Sequence, residues 1–109
     1  MSLRQMADKF AGLVVAGDYA KAHKMLAGEA ASEWPAEELQ SEYEEMVEYF
    51  EGSPPKVMEG WDGDYSQTKI DEDTTLLYVP ISNDDGVNEA VVLTFNGAGE
   101  IVDLEFGRP

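Results

Sequence analysis

The feature that most constrains this chain is a change of period at a double proline. Up to Phe50 the apolar residues recur at steps of three and four, and beyond Pro54–Pro55 they recur at steps of two. The first spacing suits a helix with one buried stripe, and the second suits a strand with a buried face. Two consecutive prolines remove two backbone donors and bias the preceding residue away from helix, so the two regimes cannot merge. The chain therefore reads as helices first and an antiparallel sheet afterwards, a segregated α+β domain. At 109 residues it is long enough for one core without disulfides or metals, and we expect a single domain over 1–109.

Three helices are expected, over about residues 3–16, 18–27 and 35–51. The first aligns Leu3, Met6, Phe10, Leu13 and Val14. Gly17 follows where a left-handed C-terminal residue is wanted, and Asp18 offers a carboxylate to cap the next helix, which shows Tyr19, Ala22, Met25 and Leu26 on one face. Gly28 is expected to loosen its end. The third opens at "WPAEEL", with Pro35 placed at the first helical position and Glu37 and Glu38 in the first turn, where the helix dipole favours negative charge. Its inward stripe is Leu39, Tyr43, Met46, Val47 and Phe50. A tetratricopeptide array would repeat at 34 residues, yet 34 residues after Gly17 stands Glu51, followed by "GSPP"; the repeat reading fails.

Four to five strands are expected within 56–106. "KVMEGW" and "YSQTKI" flank "DGD" and suggest a hairpin. "TTLLYVPI" sets Leu77, Val79 and Ile81 against Leu76, Tyr78 and Pro80; "NEAVVLTF" sets Val91, Leu93 and Phe95 against Ala90, Val92 and Thr94. Proline cannot donate to a ladder, which places Pro80 at a bulge or toward an edge. After the turn "NGAG", "EIVDLEF" sets Val102, Leu104 and Phe106 against Asp103 and Glu105. The two middle strands are apolar on both faces, and the helices can cover only one. A second subunit is the simplest cover for the other.

Charge narrows the partners. Seven Lys and Arg against 23 Asp and Glu give a net −16; residues 1–24 are net +2, and the remaining 85 residues are net −18. Such a field repels nucleic acid and anionic membranes and favours basic partners. The third helix carries Glu42, Glu45 and Glu48 among other glutamates with no base between them. It reads as a solvated face first and as a recognition face for a basic protein second. No stretch approaches the ~20 apolar residues of a membrane span. "FAGLVVA" follows Asp8 and Lys9 too closely for a good signal sequence. The expected location is the cytoplasm, with a removed leader as the alternative.

Few residues suggest chemistry. Without cysteine there is no thiolate ligand or nucleophile. "DGDYS" gives Asp62, Asp64 and Ser66 the first spacings of a calcium loop, but Gln67 stands where that loop needs glycine and Asp73 where it needs glutamate. No metal and no cofactor are expected. His23, the only histidine, lies between Ala22 and Lys24 at the border of an apolar stripe. A half-buried structural histidine is the first reading and a general base the second. Trp34, Tyr43, Trp61 and Tyr78 are the aromatic candidates for a pocket wall, against core-edge packing.

The order of a helix, "GDYAKAHKML", a helix opened by "WPAEEL" and a meander closing on "VVLTFNGAGEIVDLEF" resembles small members of the nuclear transport factor 2-like superfamily, the cystatin-like α+β cones. The resemblance spans roughly residues 3–106. It implies three helices on the concave side of a curved sheet, a cavity at the cone mouth, and dimerisation through the outer sheet face. In the superfamily's enzymes an acid or histidine in the cone serves as base, which would fall to His23 here. The expected function is a non-enzymatic binding or interaction domain, homodimeric, with no cofactor. The alternatives are an acidic immunity-type inhibitor of a basic toxin and a cofactor-free cyclase- or isomerase-like enzyme.

Overall fold

A computed structural model describes residues 2–48, 50, 54–58, 67–86 and 88–107. Among them are four helices, α1 (Leu3–Val15), α2 (Tyr19–Lys24), α3 (Gly28–Glu33) and α4 (Ala36–Val47). Five strands follow: β1 (Lys56–Val57), β2 (Gln67–Asp71), β3 (Thr74–Ser82), β4 (Asn88–Asn96) and β5 (Ile101–Phe106). The α+β class is as expected, with every helix ahead of every strand.

The first helix is capped at both ends. Ser2 Oγ accepts from the Gln5 N–H at 3.1 Å and Gln5 Oε1 accepts from the Ser2 N–H at 2.9 Å, a reciprocal capping box. At the other end the Gly17 N–H donates to the Val14 carbonyl and the Asp18 N–H to the Leu13 carbonyl. Gly17 has φ +83, so the elbow is a Schellman turn that a side chain would strain. Asp18 does not cap α2 as anticipated. Its backbone (φ −95, ψ 63) is not extended, no side-chain cap bond forms, and its carboxylate lies 3.5 Å from Lys21 Nζ instead.

Four boundaries depart from expectation. The second helix stops at Lys24 rather than 27, because Leu26 leaves it to form a parallel bridge with Ile101, and the Ala27 N–H donates to the Ile101 carbonyl at 2.9 Å. Gly28, with φ +58, then starts a helix instead of ending one. This six-residue α3 was not anticipated: it is too short to show a period. Pro35 is the N-cap of α4, not its first helical residue, and its carbonyl receives the Glu38 and Leu39 N–H groups. The helix ends at Val47 with Glu48 as C-cap; residues 49 and 51 lie outside the described set.

The sheet is a β3–β4–β5 meander with both β1 and β2 antiparallel to the outer edge of β3. The anticipated pairing of "KVMEGW" with "YSQTKI" is not found among the described residues. Lys56–Val57 pairs with Ser82–Ile81 and Gln67 onward pairs with Leu77 onward, so the two runs lie in line along one edge. The proposed "DGD" turn falls outside the described residues. Pro80 sits on this broken edge. Its carbonyl accepts from the Met58 N–H at 3.1 Å, so its absent N–H would have pointed the same way. Between the two short strands, the Tyr78 carbonyl receives Arg4 Nη1 from α1 at 3.0 Å, and Asp8 lies 3.5 Å from the same guanidinium nitrogen.

Leu77, Val79 and Ile81 of β3 and Val91, Leu93 and Phe95 of β4 face the helices and are buried. In β5 the inward residues are Ile101, Leu104 and Phe106, not Val102: a bulge pairs Thr94 with Asp103 but Phe95 with Ile101, which switches the face at that point. Phe10 and Val14 of α1 and Leu39, Tyr43 and Met46 of α4 close the core from above. The far face carries Leu76, Tyr78, Val92 and Thr94, all half-buried. At the sheet's end, Asn96 Oδ1 accepts from the Ala98 and Glu100 N–H groups, building the "NGAG" turn. A Cβ on Gly97 would stand 2.7 Å from Asp73 Oδ1 but 3.6 Å from the Asp73 Cα, so a side chain there would make the Asp73 carboxylate shift while the two turns stay side by side.

Candidate functional site

An open acidic groove runs between α4 and the end of β5. Its larger part, about 400 Å³, is lined by Glu33, Trp34, Glu38, Glu42, Glu105 and Phe106. It adjoins a cleft of about 200 Å³ that shares Glu42 and Phe106 and adds Glu45, Met46, Glu89 and Gly107. The local causes are simple. Glu38, Glu42 and Glu45 stand at steps of four and three on one side of α4, next to the Leu39–Tyr43–Met46 stripe that seats the helix. That seating presents them to the sheet's last strand. The floor is aromatic: Trp34, at the C-cap of α3, meets Phe106 edge-on with ring centroids 5.5 Å apart.

Six carboxylates thus surround one aromatic edge, and among the described residues no lysine, arginine or histidine lines either part. Such a site can attract a cation by field, orient a guanidinium by paired carboxylate hydrogen bonds, and stack it on the Trp34 face. Among the described residues, no group of three or more histidines and acids is arranged to hold a metal ion, and no helix is long and apolar enough to cross a membrane.

The residues singled out from the sequence do not converge on one cavity. Trp34 is in the groove, with Glu42 and Glu45. Glu48 is exposed at the end of α4 and lines neither part. Tyr78 lies on the far face of the sheet, paired with Val92. Trp61 lies outside the described residues. His23 is half-buried at the end of α2, with Nδ1 2.7 Å from the Trp34 carbonyl oxygen. A carbonyl only accepts, so the proton sits on Nδ1. Glu33, Glu38, Glu89, Glu105 and Phe106 were not picked out. Only Phe106 left a hint, as an aromatic at the end of an element.

Tyr43 is in the core between α2 and α4, its ring 6.5 Å from that of Tyr19. Its hydroxyl is buried with no hydrogen-bond partner among the described residues. Burial, and secondarily the neighbouring Tyr19, push its pKa up to about 12. An unmatched buried hydroxyl is destabilising, so Tyr43→Phe should raise stability by about 1 kcal/mol in urea titrations. The pH dependence has a defined sign. Because the folded pKa exceeds the unfolded 10.0, this contribution is intact below pH 10.0 and is lost as pH rises toward 12. Burial also raises Tyr19, which adds to the same alkaline limb. Tyr43→Phe should flatten that limb, and an unchanged alkaline slope would contradict the assignment.

No protein-family model, curated protein or solved structure matches this chain significantly.

Proposed function

We propose that this protein is a non-enzymatic binding domain whose acidic groove receives a lysine- or arginine-rich segment of a protein partner. One observation carries the reading: the Glu33–Glu38–Glu42–Glu105 ring around the Trp34–Phe106 edge. Charge complementarity of this kind accelerates encounter and fixes register, while the aromatic floor supplies contact that salt does not screen. An immunity-type role against a basic toxin is the most specific form of the reading, and the net −16 supports it. His23 is tied to a backbone carbonyl, a structural contact that favours the binding reading over a general base.

The test is titration with a hexaarginine peptide, followed by tryptophan fluorescence. Micromolar binding is expected at low salt, weakening by about tenfold when ionic strength rises from about 50 to about 500 mM. No binding at low salt would end the proposal.

The reading includes a homodimer through the far face of the sheet. Leu76 and the Tyr78–Val92 pair form an apolar centre there, and the helices occupy the opposite side. Sedimentation at micromolar concentration should give twice the 12.0 kDa chain mass, and Val92→Glu should return it to the monomer. A wild-type monomer would remove the dimer from the reading. The helices-then-meander order also supports kinship with the nuclear transport factor 2-like cones, which we retain as part of this proposal.

A further inference from the structure

The groove depends on where Trp34 is held: its N–H donates to the Ala30 carbonyl at 2.9 Å, and its side chain packs at the edge of the core against Phe106. Trp34 terminates a helix of six residues, far shorter than a helix that stands without tertiary support. The start of α3 is fastened to the sheet by the Ala27 N–H on the Ile101 carbonyl. Its end is where the chain turns from the C-cap (φ −121, ψ 67) into Pro35 and α4. The last carbonyls of a helix have no partners of their own. Here the Trp34 carbonyl has one, the His23 Nδ1–H at 2.7 Å, reaching across from α2.

We propose that His23 is the positioning residue of the groove: by fastening the Trp34 carbonyl, it sets the indole against Phe106 and so fixes the aromatic floor on which a guanidinium would stack. The binding part of this statement rests on the function proposed above; the positioning part does not. The donor must be at the δ position of residue 23. Asparagine places an amide N–H at nearly the same distance from its backbone, whereas leucine keeps the apolar bulk and loses the donor.

The experiment uses the full chain in a Trp61→Phe background, so that Trp34 is the only indole. In His23→Leu the nuclear Overhauser contacts between the Trp34 indole and the Phe106 ring should vanish, and hexaarginine affinity should fall about fivefold. In His23→Asn the contacts should persist and affinity should stay within about twofold of the parent. Nitrogen-15 shifts of the His23 ring at neutral pH, read in the unsubstituted protein, should show the proton on Nδ1. If His23→Leu fails to fold, that measurement together with the ring contacts in His23→Asn still tests the assignment. Contacts and affinity unchanged in His23→Leu, His23→Asn behaving like His23→Leu, or a ring protonated on Nε2 alone would each overturn the assignment. If the parent itself does not bind hexaarginine, the proposed function falls while the ring contacts still test the positioning.

Discussion

Truncating Phe95 to alanine should cost about 3–5 kcal/mol of stability, more than any other single change considered. Phe95 is fully buried on β4, the strand hydrogen-bonded on both sides, where it stands opposite Thr75 of β3 and Ile101 of β5. Its neighbours belong to both layers of the core, so they cannot close over the lost ring without moving a helix off the sheet. Domains of this size have total stabilities of about 5–15 kcal/mol, so the variant should sit close to its unfolding midpoint. Urea denaturation checks this: the midpoint should fall steeply while the slope stays near the parent's. A loss below about 1 kcal/mol would mean that Phe95 is not in the core.

Reversing three groove charges together, Glu38→Lys, Glu42→Lys and Glu105→Lys, should lower hexaarginine affinity by about thirtyfold or more. The three residues reach the aromatic floor from two separate elements, α4 and β5, so the substitutions replace attraction by repulsion on both walls. The control is a second triple of equal charge change, Glu44→Lys, Glu48→Lys and Glu72→Lys, at exposed positions outside the groove. If the overall field attracts the peptide, both triples should weaken binding equally. If the groove does, the control should stay within about threefold, because exposed charges at a distance are screened. Calorimetric titration separates the two outcomes.

The class of fold was readable because its signals are local. The period change at Pro54–Pro55, the Gly17 elbow and the alternation of Leu77, Val79 and Ile81 each report on a few neighbouring residues, and each has the structure that spacing predicts. What escaped was set by contacts between distant segments. The second helix stops early because Leu26 finds Ile101, 75 positions away in the chain. Val102 reads as inward from alternation alone, and only the bulge opposite Thr94 and Phe95 turns Ile101 in instead. The "KVMEGW" and "YSQTKI" runs look like hairpin partners by proximity, yet their described residues, Lys56–Val57 and Gln67 onward, pair with β3.

The groove was half legible for the same reason. Glu42, Glu45 and Trp34 were noticed as an acidic helix face and an aromatic at an element end. Nothing in their spacing says that α4 lies against β5, which is what brings Glu105 and Phe106 to complete the wall. The Tyr43 hydroxyl illustrates the opposite failure. Its place on the inward stripe was plain from the period, but whether a partner met its oxygen could not be read from any period.

The divided edge of β3 has a consequence for what this protein does when crowded. An uninterrupted outer strand offers a row of free amides on which a stranger's backbone can grow, the first step toward fibrils. Among the described residues the rim consists of a two-residue and a five-residue piece. A lysine stands on each, Lys56 and Lys69, Ile70 is bulged out of register, and Arg4 plugs the Tyr78 carbonyl in the gap. Along the described residues of this rim an incoming strand finds no continuous ladder. That rim is thereby guarded along its described length, beside two middle strands rich in apolar residues.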